Sequence, residues 1–252
     1  MITRHLPRAV LVLCVSTALG LSSAPTRAQT ASLPTVDQIL DKYIAGVGGR
    51  AAIEKITSVD GKGTIDIPDV GVSGTIQLLQ KAPDKALTVV EINTPAGVVQ
   101  QREGFDGTTG WSDDPQNGMR QKSGAELAEA KRAAALGREL KMKTLYPKMV
   151  VKGLEKVDEK DAYFVEATPE EGEPVKLYFD AAMGVLVRQT AVRQMPTGPL
   201  EVEVTFSDFR PVDGVKRPFT IRQATSIFTA VIHLTDVKQN VPVDDAVFKP
   251  PK

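Results

Sequence analysis

Side chains able to hold a proton, a metal ion or a nucleophile are few in this chain beyond residue 28. His233 is the only histidine there and no cysteine follows Cys14. A zinc centre needs three or four closely placed His, Cys or carboxylate ligands, so His233 reads as a half-buried strand residue. Neither the Gly-x-Ser-x-Gly nor the Ser-x-x-Lys signature of serine hydrolases occurs, and Gly71-Val72-Ser73-Gly74 resembles the first only superficially. Gly46-Val47-Gly48-Gly49 is glycine-rich but follows a helical pattern rather than a strand, which argues against a phosphate-binding loop. The acidic pairs Asp113-Asp114, Glu170-Glu171 and Asp244-Asp245 lie in turn-like sequence without EF-hand spacing, so they read as solvated loop charges. The expectation is a protein that is not an enzyme, with no catalytic residue, no metal and no cofactor.

The N-terminus has the three parts of a secretory signal. Arg4 and Arg8 make a positive start, residues 9–21 are apolar, and Thr26-Arg27-Ala28 puts small residues before a cut ahead of Gln29. The apolar run is shorter than the about 20 residues that a bilayer crossing needs. Cys14 lies inside it after Leu13, where a lipobox requires a small residue. Residues 1–28 are therefore expected to be a cleaved signal peptide and residues 29–252 a single domain of a soluble periplasmic protein. Cleavage removes Arg4, Arg8 and Arg27 but no acid, so the mature chain turns slightly acidic from a net charge of zero. No basic excess points to nucleic acid. A chain of this length can bury enough surface to fold without disulfides.

Two helical patterns come first. Thr35 and Gln38 have the spacing of a capping box, and Val36, Ile39, Leu40, Tyr43 and Ile44 recur on one face. A short helix over residues 50–55 follows. A third pattern over residues 123–143 is rich in alanine, with Ser123 and Glu126 as a second capping box and Gly137 as its weak point. Elsewhere the period is two. Segments of strand length lie between residues 61 and 105, near Trp111, and between residues 150 and 237, separated by short turns rich in Gly, Asp, Asn and Pro. Such short links join antiparallel neighbours. The fold class predicted is mainly β with α: a curved, incomplete antiparallel barrel of about 11 strands in a meander, covered by two or three helices.

The strands that position any site have an apolar face. Val202, Val204 and Phe206 alternate with Glu201, Glu203 and Thr205. Phe219 and Ile221 alternate with Thr220 and Arg222. Ile232 and Leu234 share a face with Phe228 and Ala230. Leu177 and Phe179 alternate with Lys176 and Tyr178. Two readings fit this alternation: a packed core, or a concave surface that stays open and holds a greasy ligand. The candidate lining of such a cavity is Leu177, Phe179, Val202, Val204, Phe206, Phe219, Ile221, Ile232 and Leu234, together with Trp111. Trp111 is the only tryptophan and suits either a plug at one end of the sheet or the cavity wall. The strand arginines Arg188, Arg193 and Arg222 are expected to face solvent, or in one case to hold a helix across the mouth.

An ordered set of segments resembles bacterial LolA/LolB-like proteins, the outer-membrane lipoprotein-sorting carriers. The set begins with Val36-Asp-Gln-Ile-Leu-Asp-Lys-Tyr-Ile44 and Gly48-Gly-Arg-Ala-Ala-Ile-Glu-Lys-Ile56. It continues with Phe105-Asp-Gly-Thr-Thr-Gly-Trp111, Lys176-Leu-Tyr-Phe-Asp180 with Gly184, and Asp208-Phe-Arg-Pro-Val-Asp-Gly-Val215 with Pro218-Phe219. It ends with Asn240-Val-Pro-Val-Asp-Asp-Ala-Val-Phe248. The resemblance covers nearly the whole chain beyond residue 28. It implies an incomplete barrel with helices over its opening and a hydrophobic cavity that shields acyl chains in transit across the periplasm, without a cofactor. The partners implied are a lipid or lipoprotein acyl chain and envelope membrane proteins. A filled barrel acting as a scaffold in an envelope complex is the alternative.

Overall fold

The computed structural model describes residues 32–94, 97–195 and 198–251. The expected signal peptide at residues 1–28 lies outside them. Thr35 caps α1 (Val36–Val47) as its spacing predicts: its hydroxyl accepts from the Gln38 amide at 3.2 Å, and the Gln38 side chain accepts from the Thr35 amide at 2.8 Å. Ile39, Leu40, Tyr43 and Val47 are buried. A single turn, α2 (Arg50–Ile53), follows.

Six strands then run as a meander: β1 (Ser58–Ile67), β2 (Val72–Lys81), β3 (Lys85–Thr94), β4 (Gly97–Phe105), β5 (Gly110–Asp114) and β6 (Gly118–Gln121). The insert comes next, as α3 (Gly124–Ala134), a 3-10 turn at Arg138–Leu140 and α4 (Met142–Leu145). Seven more strands complete the sheet: β7 (Lys148–Val157), β8 (Lys160–Thr168), β9 (Val175–Asp180), β10 (Leu186–Met195), β11 (Gly198–Val212), β12 (Val215–Ala224) and β13 (Thr229–Gln239). A 3-10 turn at Asp245–Phe248 ends the fold.

All thirteen strands form one antiparallel sheet in the order β6-β5-β4-β3-β2-β1-β13-β12-β11-β10-β9-β8-β7. The sheet does not close: β6 and β7 are its two edges, and the insert carries the chain from one to the other. The curved, incomplete antiparallel barrel is as expected, with 13 strands rather than about 11. The additional pairing includes β6, whose four residues Gly-Met-Arg-Gln show no apolar alternation to announce it.

Two expectations about the insert are corrected. Residues 123–143 are not one helix: α3 stops at Ala134, Ala135 turns extended, and Gly137 takes a left-handed conformation (φ 66°) before the 3-10 turn. The second capping box does not form, since the Ser123 side chain makes no cap bond and the Glu126 carboxylate is held by Arg120 at 2.7 and 2.6 Å.

The main core lies between α1, α2 and the insert on one side and β7–β10 on the other. Leu177 and Phe179 are at its centre, and the Tyr43 ring meets Phe179 edge-on at 5.2 Å. The glycine run at the end of α1 serves this packing. A Cβ on Gly46 would stand 2.3 Å from the Met183 carbonyl oxygen, and one on Gly48 2.1 Å from that of Gly214. The helix thus lies directly on the backbone of the β9–β10 and β11–β12 turns.

Candidate ligand cavity

Strand register shows which side chains share the inner face. Leu177 pairs with Gln189, Gln189 with Val204, Val204 with Gln223, and Phe206 with Ile221. Ile221 pairs with Ile232, and Ile232 with Ile65. Leu177, Val204, Phe206, Ile221 and Ile232 therefore share one surface of the sheet.

α3 crosses that surface with two working faces. Leu127, Ala130 and Ala134 recur at helical spacing. Leu127 and Ala130 pack against Gly110 of β5, and Ala134 is fully buried. Ala125, Glu129, Arg132 and Ala133 form the other face and roof a cavity of about 340 Å³. Its floor comes from Val175 of β9, Gln189 and Ala191 of β10, Val204 and Phe206 of β11, and Gln223 of β12. Tyr146 and Arg138 close it from the insert, and Glu173 and Arg193 complete its charged lining. The volume is at the low end of small-molecule sites, about 300–1,000 Å³.

Charge pairs hold the roof. Arg193 meets Glu129 of α3 at 2.8 Å, and Arg132 donates to the Glu171 carbonyl at 2.7 Å. At the start of the helix Arg120 and Glu126 form a two-pronged pair. The Arg120 hydrogen bond holds the Glu126 carboxyl below its ordinary range. Deeper in, Glu139 of the 3-10 turn pairs with Arg217 of β12 at 3.2 Å, and both side chains are largely buried. Burial, with the Glu139 charge adding to it, pushes the Tyr43 phenol well above its ordinary value.

Among the predicted lining residues, Val204 and Phe206 meet the cavity. Val202 lies one step along the same face and is buried. Leu177 and Phe179 are sealed beneath α1. Ile232 packs with Ile65, Ile76 and Ala230, while Ile221 is half-buried beside it. Leu234 is buried, and Phe219 is buried beneath the Arg210 guanidinium, 4.5 Å from its ring centre.

Trp111 requires a correction. It lies on the opposite face of the sheet from Gly110 and α3, among Leu87, Leu79, Val89 and Phe248. Its indole donates to the Phe248 carbonyl at 2.8 Å, so the C-terminal turn covers it.

Of the three strand arginines, Arg222 is exposed as expected, near the Thr229 hydroxyl at 3.4 Å, and the other two find partners. Arg193 is the one that reaches a helix across the opening. Arg188 lies over the Tyr178 ring and meets Glu203 at 3.6 Å. His233 stands on the exposed side of β13 near the Thr220 hydroxyl at 3.3 Å. Among the described residues no group of His, Cys, Asp or Glu is arranged to hold a metal ion.

The polar lining was not anticipated from sequence. Its available signal was the spacing of Glu129, Arg132 and Ala133 on the face of α3 opposite Leu127 and Ala130.

No family model matches the chain, and no curated protein matches its sequence. Solved structures do match its fold. A DUF1329 family protein from Desulfovibrio piger superposes with a TM-score of 0.57 at 15% identity, over 85% of this chain and 97% of that one. A LolA superfamily protein from Nitrosomonas europaea superposes at 0.55 and 17% identity, over 86% and 98%. A domain named for outer-membrane lipoprotein sorting, from Vibrio parahaemolyticus, superposes at 0.54 and 13% identity, over 84% and 94%. The chain therefore has the fold shared by LolA superfamily proteins and outer-membrane lipoprotein-sorting domains.

Proposed function

We propose that the protein is a periplasmic carrier of the outer-membrane lipoprotein-sorting type, binding a lipid or lipoprotein acyl chain in the cavity beneath α3. The observation that carries this reading is the two-faced α3. One face is fastened to the β4–β5 limb, and the other leaves about 340 Å³ open above Val204, Phe206 and Ala191. A helix serving only to fill the barrel would have no reason to carry small residues, Ala125 and Ala133, over an unfilled space. Burial of an acyl chain there would drive binding at about 0.8 kcal/mol per CH₂. A similarly folded domain is named for lipoprotein sorting, which agrees with this reading. Residues 1–28 act as its cleaved secretion signal, and residues 29–252 form the single carrier domain. No chemistry is assigned to it. Among the described residues no helix is long and apolar enough to cross a membrane.

The test is mass spectrometry of organic extracts of the mature protein, purified from its own periplasm without detergent, with uptake of a fluorescent fatty acid as the companion assay. Stoichiometric lipid or acylated peptide is expected. Val204→Trp should fill the floor and abolish uptake while the fold persists. A clean extract with no uptake would favour the filled-barrel scaffold. That second reading draws on one observation: Leu177, Phe179, Phe219 and Leu234 of the expected lining are already packed by protein.

A further inference from the structure

We propose that the cavity takes a single-chain amphiphile with an anionic head group, and that Arg138 is the cation that receives the head. The inference rests on the carrier reading and deepens it by naming the ligand class. It begins with the charges on the lining, which are Glu129, Arg132, Arg138, Glu173 and Arg193. Glu129 and Arg193 neutralise each other at 2.8 Å. Arg132 donates to a neutral acceptor, the Glu171 carbonyl, at the loop before β9. Glu173 is exposed in that same loop. Arg138 is different: it is half-buried, lines the cavity, and has no hydrogen-bond or ion-pair partner among the described residues. The nearest acid in sequence, Glu139, is already taken by Arg217.

Topology places Arg138 at the inner end. Glu139 beside it reaches Arg217 near the start of β12, the end of the sheet on which α1 sits. Arg193 stands near the opposite end of β10, toward the β10–β11 turn. Val175, Ala191 and Val204 lie on the floor between these two positions. A half-buried guanidinium with no protein partner leaves its donors to an anion or to water. Its planar fork matches a carboxylate or a phosphate, two oxygens to two N–H groups. A floor whose apolar strip is Val175, Ala191, Val204 and Phe206, set beside Gln189 and Gln223 and leading to an unpaired cation, is the complement of an acyl chain ending in such an anion. About 340 Å³ suits one chain of this kind rather than a bundle of several.

The experiment measures equilibrium binding of oleate, oleyl phosphate and oleyl alcohol to the mature protein. The three share a chain and differ in head group. Both anions are expected to bind about tenfold or more tightly than the alcohol, as a charge-assisted hydrogen bond provides. The tighter of the two identifies carboxylate or phosphate as the preferred head. Arg138→Gln should remove most of that advantage and leave the alcohol unchanged, while Arg138→Lys should restore part of it. A salt series on the wild-type protein is a second readout that needs no variant: rising ionic strength should weaken the anions and spare the alcohol. Equal binding of all three, or an equal loss of all three in Arg138→Gln, overturns the head-group assignment alone. Binding of none overturns the carrier reading together with it.

Discussion

Glu139 and Arg217 tie the insert to the sheet at the level of single side chains. Their side chains are 8% and 16% exposed, and the pair closes at 3.2 Å. Glu139 Oε2 and Arg217 Nε and Nη2 are also buried, without protein partners. Two charges taken out of water are held in place chiefly by each other, so removing one strands the other. Arg217→Met or Glu139→Leu alone should destabilise the fold by about 3 kcal/mol, the low end of the range for breaking a buried pair. The double variant Glu139→Leu/Arg217→Met should recover most of that loss, because an apolar pair needs no compensation. Urea melts of the two single variants and the double variant measure the coupling directly. Additive losses would mean that the pair carries no mutual energy.

Among the elements, α3 decides what the concave face can do, and its attachment to β10 is the contact to loosen. Arg193 and Glu129 are 39% and 33% exposed, so their pair contributes only about 0.2–1 kcal/mol to global stability. Its effect should instead be local. Arg193→Gln is expected to raise amide hydrogen exchange over residues 124–134 and leave the midpoint of unfolding nearly unchanged. Unaltered exchange in that segment would show that the Gly110–Leu127 packing alone fixes the helix. This element also marks how far the sequence could be read. Thr35 and Gln38 announced their cap because both partners are local. Ser123 and Glu126 have the same spacing, but Arg120 on β6 captures the glutamate, a tertiary competitor that spacing does not reveal. Alternation placed Val204, Phe206, Leu177 and Phe179 on one inner face correctly, as their register shows. Whether a position on that face is open or sealed depends on which helix lies above it. α1 seals Phe179, while α3 stands over Val204 and leaves space. Trp111 stood outside this logic because β5 is short, and its outward face finds cover only from the far C-terminus.

Across the whole molecule, two meanders meet where β1 pairs with β13, and the C-terminal turn reinforces the first of them from outside. Asp245 of that turn bridges Lys81 of β2 and Lys85 of β3 at 2.7 and 2.6 Å, next to the buried cluster of Trp111, Leu87 and Phe248. The Lys81 hydrogen bond, followed by that of Lys85, lowers the Asp245 carboxyl from 3.8 to about 2. A carboxyl depressed in the folded state stabilises that state above its unfolded value and ceases to do so once it is protonated. The clamp should therefore be fully effective above about pH 4 and be lost as the pH falls through about 2. Trp111 is the only tryptophan, so its fluorescence reports on this corner of the sheet without labelling. Other carboxylates titrate over the same range, which makes the comparison between two proteins the informative quantity. Asp245→Asn keeps the shape of the side chain and removes its charge. At neutral pH it should exchange the Trp111 indole proton faster than the wild type, because the Phe248 carbonyl is less firmly held over it. The difference between the two proteins should shrink as the pH falls from 4 toward 2, where the wild-type carboxyl becomes neutral as well. A difference that persists unchanged to pH 2, or that is absent at neutral pH, would mean that apolar packing of Phe248 against Trp111 closes this edge without help from the ion pairs.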